Sequence, residues 1–301
     1  MKLTNPFDHA ALLRFLDAAQ ERFPFCERLY LGNSILERPI PMLRIGTGAR
    51  QVLYVGAHHG MEWITSALLC RFLWELCEAI EAQRRLCALY PAELCQSYTL
   101  YILPMLNPDG VEYQIHGLHA ENPLYERVLE MNGGSTDFSH WQANARGVDL
   151  NHNYDAGFAE YKRLEAAAGI LQGAPTRYSG ECPESEIEVS LLCNFIRFQE
   201  HLCGVMTLHT QGEEIFYRSG GVTLPKSTVT ARRLSALTGY RESHAEGLAS
   251  YGGLTDWCVQ KLSIPAFTLE CGKGCNPLPF DDLPSIYLRL RNALVAFPTI
   301  L

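Results

Sequence analysis

The chain has 301 residues, 47% of them hydrophobic, enough to bury a large core. Its formal charge is -8 with no Lys/Arg-rich run, which argues against nucleic acid or an anionic membrane surface as a partner. There is no apolar run long enough to span a bilayer, and the N-terminal MKLTNPFDHAALLRFLDAAQ mixes charges into its apolar positions, unlike an export signal; the eleven scattered cysteines, without a CxxC pair, suit a reducing cytoplasm.

Residues 6–22 read as an amphipathic helix, and 27–33 and 40–46 as strands joined by a hairpin-like link. The β-rich apolar run "QVLYVGA" (51–57) predicts a buried strand, and the helical spacing of apolar residues from Met61 to about Arg84 predicts a helix after it. "SYTLYILPML" (97–106) reads as another buried strand, stopped by the turn signal Asn107-Pro108-Asp109-Gly110. Residues 117–158, rich in glycine and asparagine, read mostly as loop. Helices follow at 184–199 and 226–239, strands at 202–208 and 266–270, and a closing helix at 284–297. This alternation predicts one α/β domain over residues 1–301, with a mostly parallel sheet and helices on both faces.

"GAHHGMEWIT" (56–65) carries the first chemical signal. His59 and Glu62 are three apart, so they share a face of the first helical turn, whereas His58 points elsewhere. Imidazole nitrogen and carboxylate oxygen suit Zn²⁺, and a catalytic zinc needs three protein ligands. His209, ending the apolar strand of "CGVMTLHTQG", is the candidate third, and strand ends are where sites gather in open α/β sheets. A hydrolase also needs a base to take a proton from the attacking water. Glu270, ending the strand of "IPAFTLECG", is placed for that role. Taken singly, each residue also has a plain structural reading: a helix start, a hydrogen-bonded core histidine, a paired glutamate at the sheet rim.

Six stretches occur in one order: "HGMEW" (59–63), "NPDG" (107–110), "GVDLNHNYD" (147–155), "LHTQG" (208–212), "GGLTDW" (252–257) and "FTLE" (267–270). Together they resemble the zinc metallocarboxypeptidase family. The resemblance implies one zinc per chain held by His59, Glu62 and His209, Glu270 as general base, and a central mixed sheet of about eight strands. "HTQGEEIFY" (209–217), "GGLTDWC" and "ECGKGCNPLP" (270–279) resemble the bacterial branch that cleaves γ-D-glutamyl–diamino acid bonds in cell-wall peptides. The implied partner is a cell-wall-derived muropeptide, met in the cytoplasm after import.

Four positions depart from the digestive members of the family. Asn151 is followed by His152 where they carry an arginine for the substrate's terminal carboxylate, and histidine lacks the bidentate guanidinium fork. Gln142 stands where a second arginine polarises the scissile carbonyl, with Arg146 nearby as a candidate substitute. Leu248 falls on their phenolic tyrosine, for which Tyr251 and Tyr217 are candidates, and Met61 replaces a further arginine. Arg218 and Lys273 are candidate cations for the additional carboxylates of a diaminopimelate peptide. "CGKGC" (271–275) reads as two reduced thiols rather than a metal site, for want of a second pair. A generic metallocarboxypeptidase, a small-amide deacylase on the same zinc, and a non-catalytic peptide-binding protein remain alternative readings.

Overall fold

The computed structural model describes residues 3–301. Its eight strands are β1 (Glu27–Asn33), β2 (Pro39–Ile45), β3 (Arg50–Val55), β4 (Tyr98–Leu103), β5 (Leu202–His209), β6 (Glu214–Phe216), β7 (Arg241–Glu242) and β8 (Ala266–Glu270). They form one mixed sheet in the order β1-β2-β4-β3-β5-β8-β6-β7. The centre, β4-β3-β5-β8, is parallel, while β1, β2 and β6 add antiparallel pairs.

The central strands are apolar on both faces, as a covered parallel sheet requires. Alternation assigns each side chain to one of two cores. Val52, Tyr54, Leu100, Ile102, Met206 and Leu208 pack with helices α1 (His9–Arg22), α2 (Ile64–Glu81), α8 (Ser227–Thr238) and α10 (Leu283–Ile300). Leu53, Val55, Tyr101, Leu103 and Val205 face the other way, onto α7 (Ile187–Arg197) and α9 (Leu254–Trp257). The expected single α/β architecture with helices on both faces is therefore present.

Several local expectations differ from what is observed. Asn107-Pro108 does not stop the chain in a turn but starts helix α4 (Pro108–His116): Asn107 caps it by accepting from the Gly110 N–H, and Pro108 takes the first helical position. Helix α3 (Pro91–Ser97) runs directly into β4, occupying the start of the predicted strand. The stretch read as loop contains α5 (Tyr125–Met131), and α6 (Phe158–Ala167) follows it. Strands β6 and β7 are too short for an alternation signal to show.

Candidate metal centre

The connection after β3 leads through α2 to β4 on one side, while β5 lies on the other side of β3. Such a reversal opens a crevice at the carboxyl ends of the strands. His59 follows β3, and His209 and Glu270 are the paired last residues of β5 and β8. The topology thus delivers three chemically active side chains to one place.

The turn carrying the first pair is a 3₁₀ turn, Gly60–Glu62, with His59 at its cap, rather than the first turn of α2. In a 3₁₀ turn residues three apart eclipse, which aligns His59 with Glu62. Gly60 permits it: a Cβ there would lie 2.3 Å from the Gly110 carbonyl oxygen and 2.8 Å from that of Trp141. The Asn107 amide ties these loops together by donating to the carbonyls of His58 and Ala143, at 2.9 and 3.1 Å.

His59, Glu62 and His209 are buried, and one ligand atom from each lies within 4.8 Å of the others. His59 Nδ1 is 3.0 Å from the Glu62 carboxylate and 3.3 Å from His209 Nδ1, which is itself 3.2 Å from Glu62. Two imidazole nitrogens facing one another across a carboxylate cannot all be satisfied by a single proton, whereas a cation between them would satisfy all three. The set fits zinc, which takes imidazole nitrogen and carboxylate oxygen.

The surrounding hydrogen bonds orient this set. His59 Nε2 meets Asp149 Oδ1 at 3.0 Å, which leaves Nδ1 for a metal. Asp149 is fixed in turn by the backbone N–H groups of Asn151, to Oδ1, and Arg177, to Oδ2. Burial alone would raise the Asp149 carboxyl, but His59, His152 and these hydrogen bonds hold it well below the usual carboxylate range. Glu62 also resists its burial: His59 and His209 bring it down to about 2, and the Thr210 N–H donates to it. His58 points away, against Tyr154 Oη and Thr207 Oγ1, and burial depresses its basicity. Burial and the neighbouring Glu62 push the Glu270 carboxyl well above its ordinary range, and a bound cation would draw it back down.

A cavity of about 460 Å³ opens over the metal group and is also lined by Gln142, Asn151, His152, Arg177, Leu248 and Glu270. A larger one of about 610 Å³ contains none of the metal-group residues, so chemistry rather than size selects the first. The Gln142 side-chain oxygen accepts from Thr176 and that of Asn151 from the Leu254 N–H, which leaves both amide NH₂ groups for a ligand. His152 lies flat on Tyr161, ring centroids 3.9 Å apart, with Nδ1 2.8 Å from the Tyr251 carbonyl. Its Nε2 therefore accepts in the neutral ring and donates only in the imidazolium.

The remaining predicted site residues are dispersed. Arg146 is not at the metal pocket: its guanidinium forks onto Glu186 at 3.0 Å, in a separate cavity. Lys273 is exposed and paired with Glu213 at 3.0 Å, outside the metal pocket. Tyr217 is buried, with its hydroxyl on Glu242 and its ring stacked on Phe267. Tyr251 faces the larger cavity, and its carbonyl rather than its phenol serves the site. Arg218 does reach a neighbouring cavity of about 300 Å³ that shares Asn151 and Glu270 with the metal pocket. The eleven cysteines are all free thiols, and Cys271 and Cys275 are not in the metal group.

Asp149, Thr176, Arg177, Thr210, Glu246 and Ala249 line the pocket without having been singled out in the sequence. Asp149 stands in plain view within "GVDLNHNYD", where a carboxylate two residues before Asn151 was a readable signal. Arg177 in "TRYSG" has no motif to mark it, and only the folded chain brings it to the pocket.

Comparison with known proteins agrees with this geometry. The zinc carboxypeptidase family profile matches residues 12–288. A gamma-D-glutamyl-L-diamino acid endopeptidase 1 from Lysinibacillus sphaericus is 32% identical over 281 residues, covering 93% of this chain and 69% of that protein. Thrombin activatable fibrinolysis inhibitor superposes with a TM-score of 0.72 at 18% identity, over 97% of this chain and 73% of that one. The murein-tripeptide amidase MpaA from Escherichia coli O157 superposes with a TM-score of 0.55 at 19% identity, over 98% and 97% of the two chains. With the profile spanning most of its length and a group able to hold a metal at its sheet switch point, the chain belongs to the zinc carboxypeptidase family and is a zinc metallopeptidase.

Proposed function

We propose that this peptidase hydrolyses the γ-D-glutamyl–diamino acid bond of peptidoglycan-derived peptides, with His59, Glu62 and His209 as zinc ligands and Glu270 as general base. The observation that carries the reading is the pairing of the metal pocket with the adjoining Arg218 cavity, which meet at Asn151 and Glu270. A substrate with carboxylates beyond the scissile bond needs a further cation, and this second cavity supplies Arg218, set among Glu214, Asp256 and Glu270. The relative from Lysinibacillus sphaericus, named for this bond, supports the same reading. Eleven free thiols suit a reducing compartment, so the proposed setting is the cytoplasm and the role the recycling of imported muropeptides. No helix among the described residues is long and apolar enough to cross a membrane.

Zinc, when bound, polarises the scissile carbonyl and makes the attacking water more acidic. Glu270 takes a proton from that water as its oxygen bonds to the carbonyl carbon. The same carboxyl then gives the proton to the leaving amine nitrogen as the C–N bond breaks. Gln142 and Asn151 donate to substrate oxygens through their free amides. Arg218, already 3.0 Å from His244 and bonded to the Tyr217 hydroxyl, offers its remaining donors to the distal carboxylate of the diamino acid.

A matched peptide set tests the reading. L-Ala-γ-D-Glu-meso-diaminopimelate should be cleaved faster than its lysine counterpart, which lacks the distal carboxylate, and the α-linked L-Glu isomer should be poor. Equal rates for the lysine and diaminopimelate peptides, or faster release of ordinary C-terminal residues, would refute it.

A further inference from the structure

Among the described residues, Arg177 is the only Lys or Arg lining the metal pocket. Its guanidinium enters no ion pair or side-chain hydrogen bond among the described residues, in contrast to Arg146, which is committed to Glu186. Its backbone, by comparison, is held on both sides. The Arg177 N–H donates to Asp149 Oδ2 at 3.1 Å, and its carbonyl accepts from the Tyr161 hydroxyl at 3.0 Å. The φ angle is +68°, a left-handed conformation that disfavours any residue with a side chain. A position that glycine would fill more easily thus presents a cation beside Gln142 and the metal group.

We propose that Arg177 grips the α-carboxylate of the D-glutamyl residue, on the acyl side of the scissile bond. The inference rests on the function proposed above and extends it. The two cations line different cavities, which meet at Asn151, Ala249 and Glu270. With Arg218 on the amine side, Arg177 remains for the acyl side. In a γ-linked residue the free carboxylate sits on Cα, separated from the scissile carbonyl by two methylenes and the Cα itself. A bidentate guanidinium suits it better than the single donor of His152. The anchor also discriminates by linkage, because an α-linked glutamate places its carboxylate elsewhere.

The experiment compares wild type with Arg177→Gln on three peptides: γ-D-Glu-diaminopimelate, the same peptide with the glutamyl α-carboxylate as amide, and γ-D-Glu-lysine. The glutamine variant keeps the backbone N–H on Asp149, and unchanged zinc content confirms that the metal group is intact. Loss of a charge-assisted contact predicts about a ten- to hundred-fold fall in kcat/KM on the acid and the lysine peptides, and little change on the amide. Titration of the acid and amide peptides into a Glu270→Gln background should show the same difference in Kd. An equal fall on all three peptides would make Arg177 a carbonyl-polarising or structural group and overturn the assignment. A fall that disappears on the lysine peptide instead would place it on the amine side and overturn it too. Failure of the wild type to cleave any γ-D-glutamyl peptide would overturn the proposed function and this inference together, whereas cleavage with an equal fall overturns the inference alone.

Discussion

Replacing Asp149 with asparagine is the sharpest probe of how the metal group is built. Both carboxylate oxygens of Asp149 are acceptors: Oδ1 for His59 Nε2 at 3.0 Å and the Asn151 N–H at 3.2 Å, Oδ2 for the Arg177 N–H at 3.1 Å. An asparagine offers one oxygen and one NH₂. Either rotamer sets a donor against a donor, because one side faces backbone N–H of Arg177 and the other faces Asn151 and the imidazole. With its NH₂ toward His59, the ring must accept at Nε2 and carry its proton on Nδ1, the atom 3.0 Å from Glu62 that would hold the metal. Loss of a histidine's outer partner costs roughly 10–100-fold in metal affinity, or about 1.4–2.7 kcal/mol. The enforced wrong tautomer places Asp149→Asn at the upper end of that range. Competition against a chromophoric chelator at fixed pH measures it directly. Asp149→Glu, which keeps two acceptors, should lose less. A zinc affinity for Asp149→Asn within threefold of wild type would show that this carboxylate does not set the His59 tautomer.

Glu270→Gln should retain zinc and lose about 10²–10⁴-fold in turnover, since the amide cannot accept the water's proton; near-normal kcat on a verified substrate would contradict the assigned role. Glu188 is buried near Asp109 and Glu186, and its carboxyl is pushed up to about 8, chiefly by burial. A carboxyl raised on folding binds more protons folded than unfolded, so wild-type stability falls as pH rises from the unfolded value of about 4.3 towards about 8. Relative to wild type, Glu188→Gln should therefore gain stability across that window, by up to about 5 kcal/mol, and level off above it; urea unfolding at several pH values would expose a pH-independent difference if the reasoning is wrong. Gly60→Ala drives a Cβ into the carbonyl oxygens of Gly110 and Trp141, and should cost about 1–3 kcal/mol in denaturant stability together with zinc affinity; a variant matching wild type in both would show that the turn can shift freely.

The sequence by itself determined the strand–helix alternation and the candidate residues for the proposed chemistry. Strands β3, β4, β5 and β8 are short apolar runs, and such runs are legible because burial on both faces removes polar positions. His59, Glu62, His209 and Glu270 were legible because each stands at or just beyond such a run. Local competition hid other elements. Asn107-Pro108 is as good a helix cap as a turn, and only packing of the α4 start against the Gly60 turn decides between them. The cations show the limit most clearly. Arg146, Lys273 and Arg177 all lie in polar connecting segments where sequence offers no preference among them. Folding gives Arg146 to Glu186 and Lys273 to Glu213, and turns Arg177 into the pocket by fixing its backbone on Asp149 and Tyr161. A long-range carboxylate or hydroxyl partner captures each one, and which partner arrives is a property of the assembled sheet and its loops rather than of any local stretch.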